Sequence, residues 1–266
     1  KKYYAEIVTA ITTEMGAPTK LSESIQASMG IAHFSTTLEV LKDFEFEHAM
    51  ATTQVHKEAI GVVGLITPWN WPMNQVVCKV APALAAGCTI VLKPSQDSAL
   101  SAYILAKVMD EAGVPAGVFN LVNGSGAGIG DYLCGHPDVD MISFTGSTQA
   151  GVYVAKKAAE TIKRVSLELG GKSANIILDD ADFVRAVGGN ITGCFGNTGQ
   201  TCTAPTRMLV PNSRLEEAIS IAKAGAEQAL QSVGIPTDPT TEIGPVANKS
   251  QFDKIQQMKM RSQCHR

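Results

Sequence analysis

The stretch GVVGLITPWNWP, residues 61–72, decides how this chain folds. Its first six residues are apolar or glycine, and Thr67, Pro68 and Asn70 then interrupt the run. A buried helix needs at least about ten residues, so a run this short, closed by proline, reads as a strand covered on both faces. The same unit then repeats toward the C-terminus. An apolar helix is expected over Met73 to Ala86, followed by TIVLK (89–93) and a helix that sets Leu100, Ile104 and Val108 on one face and stops at Gly113. The runs VFNLVN (118–123), MISF (141–144), RVSLEL (164–169) and NIIL (175–178) follow, with helix-like segments between them. Short apolar strands alternating with helices predict a doubly wound α/β domain with a parallel sheet.

Toward the N-terminus, residues 1 to about 45 read as helical. Gly16-Ala17-Pro18 breaks one helix, and Ser22 or Ser24 is placed to cap the next. HAMATTQVHKEAI (48–60) is polar with β-branched residues and suits an extended arm. Beyond the last apolar run, TRMLVP (206–211) reads as a strand and Arg214 to Ser232 as an amphipathic helix. The tail MKMRSQCHR (258–266) fits no element.

With 45% apolar and 18% charged residues in 266, the chain holds enough core for a large domain. The net charge is −3, and lysines and arginines are scattered, which argues against nucleic acid or an anionic membrane as partner. The longest apolar stretch, Val80 to Leu92, is interrupted by proline and glycine and is shorter than the roughly 20 residues that span a bilayer. No signal-peptide pattern opens the chain. Cys78, Cys88, Cys134, Cys194, Cys202 and Cys264 form no C-x-x-C pair, as expected of reduced thiols in a cytoplasmic protein. Neither they nor the histidines show metal-ligand spacing, so no metal is expected.

In an open parallel sheet, ligands bind outside the carboxyl ends of the strands. Here TPWN follows GVVGLI, KPS follows TIVL, FTGS follows MIS and ELGG follows RVSL. These segments bring Asn70, Lys93, a Gly146-Ser147 pair and Glu168 to one edge. Each has a plainer reading: Asn70 as support for its turn, Lys93 as a solvated strand end, Glu168 as a salt-bridge partner. Glu168 nevertheless stands between Leu167 and Leu169, an apolar setting that would raise its pKa and suit a general base. NGSGAGIG (123–130) resembles a dinucleotide fingerprint, but the third glycine of G-x-G-x-x-G is missing from either starting point. TGSTQAG (145–151) offers only Gly146 and Gly151, although a helix beginning at Thr148 could hold a phosphate on its backbone N–H groups. On spacing alone, structural turns account for these glycines better than a cofactor does. Cys202, in GNTGQTC (196–202), could be an ordinary core thiol, but its polar neighbours Asn197, Thr198, Thr201 and Thr203 make an apolar slot a poor description.

Taken together, LELGGKSA (167–174), FGNTGQTCTAPT (195–206), TPWNWP, KPS and FTGST resemble the aldehyde dehydrogenase superfamily in order and spacing, from about Ala10 to Gln256. The resemblance implies a modified Rossmann cofactor domain over 1–170 with an oligomerisation arm about 42–58, and the beginning of a second α/β catalytic domain over 171–266. It implies Cys202 as nucleophile, Glu168 as the base that activates water, and Asn70 with the Cys202 backbone N–H as oxyanion donors. It implies NAD or NADP as cofactor, with Lys93 on the adenosine ribose and the pyrophosphate near Ser147. Ile66, Thr67, Pro68, Trp69, Asn70, Ser95, Gln96, Gly126, Gly130, Phe144, Thr145, Gly146, Leu169 and Gly170 are further cofactor contacts by the same resemblance. The substrate is then a small aldehyde and the full-length parent a homodimer or homotetramer. Retention of Glu168 favours hydrolysis over the acyl-CoA-forming branch. Gln96 departs from the glutamate common in NAD-preferring members, so the charge that repels a 2′-phosphate is missing and NADP is expected to be tolerated. The family's E-x-F-G-P segment and the rest of its catalytic domain are not found, so the chain is read as truncated. An inactive fragment is the alternative.

Overall fold

A computed structural model describes residues 1–263. The chain divides into two compact units, one formed by residues 1–11 and 23–169, the other by residues 12–22 and those from 170 onward. Residues 12–22 thus join the later segment, a contribution that division by sequence order alone does not give. Gly16 turns the chain here with φ +76°, and a side chain at that position would lie 2.7 Å from Pro245 Cγ. The Thr19 backbone N–H donates to Pro236 O at 2.8 Å.

The first unit starts in α1 (Tyr4–Met15), which continues into the second. A single turn, α2 (Thr19–Leu21), leads to α3 (Ser28–Lys42) through a π-helical stretch, Ser22–Gln26. Neither Ser22 nor Ser24 stands at the N-cap of α3, which is Ala27 without a side-chain cap bond, and this corrects the expectation; Ser22 instead closes α2. Ser22 lies inside the π-helical stretch, buried, and its hydroxyl accepts from Thr12 Oγ1 at 2.9 Å. The expected arm forms an antiparallel hairpin, β1 (Glu47–Met50) with β2 (Thr53–His56).

The sheet is built by β3 (Val62–Ile66), β4 (Thr89–Lys93), β5 (Phe119–Leu121), β6 (Met141–Gly146) and β7 (Arg164–Leu169). Every pairing is parallel, in the order β5-β4-β3-β6-β7. The order reverses direction between β3 and β6, where an α/β sheet opens a crevice for ligands. Helices α4 (Pro72–Ala85), α5 (Ala99–Glu111), α6 (Asp131–Gly135) and α7 (Thr148–Ala159) connect the strands. Ile90, Leu92 and Ile142 have no exposed surface, as expected of strands covered on both faces. Val154 from α7 and Leu133 from α6 pack with Ile66, Ile142 and Phe144 in one core cluster. Helix α5 corrects one expectation: it buries Ser101, Ala102, Leu105 and Met109, while Leu100 is 55% exposed.

In the second unit, β8 (Ala174–Ile176) pairs in parallel with β9 (Arg207–Leu209), covered by α8 (Phe183–Phe195) and α9 (Leu215–Gln231). Ile177, Phe183, Val187 and Ala218 form its core. The segment expected to fit no element is helical as far as it is described, within α10 (Lys249–Gln263). Residues 264–266, including Cys264, lie outside the described residues.

Candidate active site

Helix α7 is the first element to consider, because it opens just behind β6. Its N-cap is Ser147, whose Oγ accepts from the Ala150 N–H at 3.3 Å. That bond satisfies one of the N–H groups that a helix start leaves without an intrahelical partner, and the others face outward along the axis. Gly146 precedes the cap, and a side chain there would meet the Phe144 ring at 2.5 Å, so only glycine lets the ring lie against the backbone. Gly126–Gly130, the string that failed as a fingerprint, folds as a π-helical turn capped by Ser125 Oγ accepting from the Gly128 N–H.

These parts surround one cavity of about 600 Å³, whose wall includes Ile66, Gly126, Gly130, Phe144 and Ser147. Its size falls within the roughly 300–1,000 Å³ typical of small-molecule sites. Ile66 and Phe144 are paired in register across β3 and β6, so the cavity opens at the point where strand order reverses. Thr67 and Thr145 sit at the carboxyl ends of the same two strands. Their hydroxyl oxygens are buried without a hydrogen-bond partner among the described residues. A buried unsatisfied hydroxyl costs about 1–3 kcal/mol, and a ligand at this edge would relieve it.

Lys93 ends β4 and is only 3% exposed. Its Nζ donates to Pro94 O at 2.7 Å, and its Cε lies 3.6 Å from the position a side chain on Gly130 would take. Burial pushes the ammonium's pKa down. This is not the solvated strand end that composition alone allowed. Ser95 caps the following 3-10 turn, which begins at Gln96, by accepting from the Asp97 N–H.

Glu168 stands near the end of β7, opposite Thr145 in the register. The apolar setting expected from Leu167 and Leu169 does not form around it. Consecutive residues of a strand point to opposite faces, so those leucines are half-buried and Glu168 is exposed. Two residues that the sequence reading missed lie within electrostatic range of Glu168. Lys79 of α4 is buried and donates to Ser143 Oγ at 2.8 Å, and burial lowers its pKa. Burial likewise pushes the neighbouring Cys78 thiol up. A lone lysine within the apolar run VVCKVAPALA was the available signal. Because the folded chain disfavours the charged form of Lys79, the unfolded chain binds more protons between the lowered value and the usual value of about 10.4. Stability should therefore rise with pH across that window. Lys79→Met is expected to flatten this rise relative to the native chain, as measured by denaturant unfolding at stepped pH; an unchanged slope would count against a buried ammonium.

Cys202 belongs to the second unit. Ahead of it Asn197, Thr198 and Gly199 take left-handed φ values of 53°, 60° and 71° in succession. A β-branched residue in that region is strained by roughly 1–2 kcal/mol, so the turn has to be held from outside. Thr198 Oγ1 donates to Gly244 O at 3.0 Å. The Gln200 side chain accepts from the Ala247 N–H at 2.8 Å and donates to Asn197 O at 3.1 Å. Cys202 follows, half-buried. Its flank Gly171 comes close enough that a side chain there would lie 3.6 Å from Cys202 O. Within the first unit the structure gathers Ile66, Gly126, Gly130, Phe144 and Ser147 at one cavity, with Thr67, Lys93, Thr145 and Glu168 at the same carboxyl edge of the sheet. Among the described residues, no group of three or more His, Cys, Asp or Glu could hold a metal ion.

The aldehyde dehydrogenase family model matches residues 1–263. The chain belongs to the aldehyde dehydrogenase family. Among curated aldehyde dehydrogenases and their relatives, it is 56% identical over 252 residues to 3-succinoylsemialdehyde-pyridine dehydrogenase of a Pseudomonas species, covering 94% of this chain and 52% of that protein. It is 49% identical to a putative aldehyde dehydrogenase of Staphylococcus saprophyticus, again covering 94% of this chain and 52% of the relative. The crystal structure of a mutant aldehyde dehydrogenase C from Pseudomonas syringae, in complex with NAD+ and octanal, superposes with a TM-score of 0.95 at 47% identity. That match covers 99% of this chain and 54% of the other. The chain therefore spans about half the length of the relatives it matches. No described helix is long and apolar enough to cross a membrane.

Proposed function

We propose that this chain supplies the cofactor site and the nucleophile of an oxidoreductase that converts an aldehyde to a carboxylic acid with NAD or NADP. The observation that carries this reading is the pair of orphaned Thr67 and Thr145 hydroxyls at the strand-order reversal, each next in the chain to a residue, Ile66 or Phe144, that lines the cavity with Gly126, Gly130 and Ser147. These groups suit a dinucleotide. The opening of α7 behind Ser147 offers backbone N–H groups to a phosphate, and Lys93, held along Gly130, offers an ammonium to ribose hydroxyls. Bound NAD or NADP supplies the hydride acceptor.

The residues of the chain do the rest. Cys202 as thiolate attacks the aldehyde carbonyl carbon and forms a tetrahedral thiohemiacetal. The Asn70 side-chain amide and the Cys202 backbone N–H donate to the oxygen as it gains charge, each worth typically about 3 kcal/mol. Oxidation of that adduct leaves a thioester on Cys202. Glu168 takes a proton from water, the water attacks the thioester carbon, and the acid departs as the Cys202 thiol is restored. The exposure of Glu168 supports this role, since a base that activates water must meet water. The β1–β2 hairpin is the segment proposed to pair with a second copy in a homodimer or homotetramer.

The test extends the chain to the length of its relatives and follows reduced nicotinamide at 340 nm with a panel of aldehydes. Aldehyde-dependent reduction is expected with both cofactors, and NADP is expected to bind less than about a hundredfold more weakly than NAD, because Gln96 carries no charge to repel a 2′-phosphate. Silence with every aldehyde would remove the proposed activity.

A further inference from the structure

The turn ahead of Cys202 lies between a cavity and a strap. On its far side Cys202 is anchored: the Ala204 N–H donates to Thr201 O at 3.2 Å, and Ala204 is buried. On its near side, Thr198 and Gly199 border an apolar cavity of about 370 Å³, lined also by Phe195, Ala226, Leu230 and Ile243. Space of this kind offers few atoms to resist a movement of the backbone into it. Asn197 and Thr198, two consecutive non-glycine residues with left-handed φ, give the turn a reason to move, because an ordinary φ would relieve them.

What opposes the movement is the segment from Gly244 to Ala247. Thr198 Oγ1 donates to Gly244 O at 3.0 Å, and the Ala247 N–H donates to the Gln200 side chain at 2.8 Å, so the turn is pinned at both ends of that strap. The strap is itself seated. Gly244 lies so close to the Gly16 carbonyl oxygen that a side chain would run into it, and one on Gly16 would lie 2.7 Å from Pro245 Cγ. Just before the strap, the Gly234 N–H donates to Ile243 O at 3.1 Å and closes the intervening loop. All of these residues belong to the second unit, so residues 12–22 support the Cys202 turn through the strap. Threonine is otherwise a poor choice at Thr198, since glycine or asparagine takes a left-handed φ more readily. A hydroxyl donor accounts for it.

We propose that Thr198 is a positioning residue for Cys202: its bond to the Gly244 carbonyl holds the strained turn away from the cavity and so fixes where the thiol stands when it attacks. The inference rests on the reading of Cys202 as nucleophile. Thr198 transfers no proton in that scheme and acts through Cys202 alone.

The first test needs no turnover. The chain itself is alkylated with iodoacetamide, and the labelled cysteines are followed by peptide mass. Thr198→Val keeps the β-branched shape and deletes the donor, whereas Thr198→Ser keeps the donor. Alkylation of Cys202 is expected to slow about fivefold or more in Thr198→Val and to stay within about twofold of native in Thr198→Ser. Cys194, half-buried on α8 in the same unit, is the control, and its rate is expected to hold in both variants. An unchanged or faster Cys202 rate in Thr198→Val would overturn the inference. So would an equal change at Cys194, which marks a general loosening of the unit, or a Thr198→Ser that fails to rescue. In the chain extended to the length of its relatives, Thr198→Val should slow the burst of reduced nicotinamide by a similar factor and leave NAD affinity unchanged; a loss confined to NAD affinity would count against it. Native activity in Cys202→Ala would overturn the nucleophile reading and the inference with it, whereas failure of the alkylation series leaves that reading intact.

Discussion

Replacing Cys202 with alanine, in the chain extended to the length of its relatives, is expected to lower kcat for aldehyde oxidation by about 10⁴-fold or more. The size of the loss follows from the covalent catalysis proposed above: without a thiolate there would be no adduct to oxidise, and the remaining groups could only bind and polarise the aldehyde. Among the described residues five thiols are free, and their surroundings separate them. Cys134 is buried and its pKa is pushed up to about 11 by burial, so at neutral pH it is almost wholly a thiol. Burial raises Cys78 as well, and Cys88 has 5% of its surface exposed. Cys202 alone follows a left-handed turn held by Thr198 and Gln200. NAD affinity, measured by calorimetry, should stay within about twofold, because every residue proposed to hold the cofactor except Gly170 belongs to the first unit. A variant that retains a tenth of the native rate would transfer the role to another thiol.

How much of this was readable from sequence depends on how local each cause is. The parallel strands were: β3 and β4, buried along most of their length, leave short apolar runs that end where the chain turns, and the edge strands β5 and β7 follow in the same alternation with helices although only every second residue is half-buried. The face of α5 was not: it packs through Ser101 and Ala102, and a search for large apolar residues picks out Leu100 instead. Close approach of a helix to a sheet favours small side chains, which carry little periodic signal. The setting of Glu168 was misjudged for a related reason, since sequence neighbours in a strand are not spatial neighbours. Helix α10 escaped notice because it has little apolar stripe to betray it; an ion pair such as Lys249 with Asp253, four residues apart, is the kind of support such a helix has. The catalytic candidates became legible only as a set of motifs. Lys79 lies outside those motifs, and only the fold brings it within electrostatic range of Glu168.

Glu168→Gln separates the two halves of the proposed reaction. The amide keeps the shape of the side chain and loses the ability to take a proton, which for a general base typically costs about 10²–10⁴-fold in rate. If the base serves thioester hydrolysis, the first half of the reaction should survive. Rapid mixing would then show a burst of reduced nicotinamide approaching one equivalent per chain, followed by a steady state slowed by that factor. The enzyme would accumulate as the thioester, visible in the mass of the intact protein as an acyl group that Cys202→Ala does not acquire. If the burst itself slows as much as the steady state, Glu168 acts earlier, in removing the thiol proton, and water is activated by another group. The placement of Glu168 favours the first outcome: it stands exposed at the strand edge, where water reaches it, and Leu167 and Leu169 turn to the other face. An exposed carboxylate of this kind is free to turn over with solvent, which is what deacylation needs and what a buried thiol-activating base would lack.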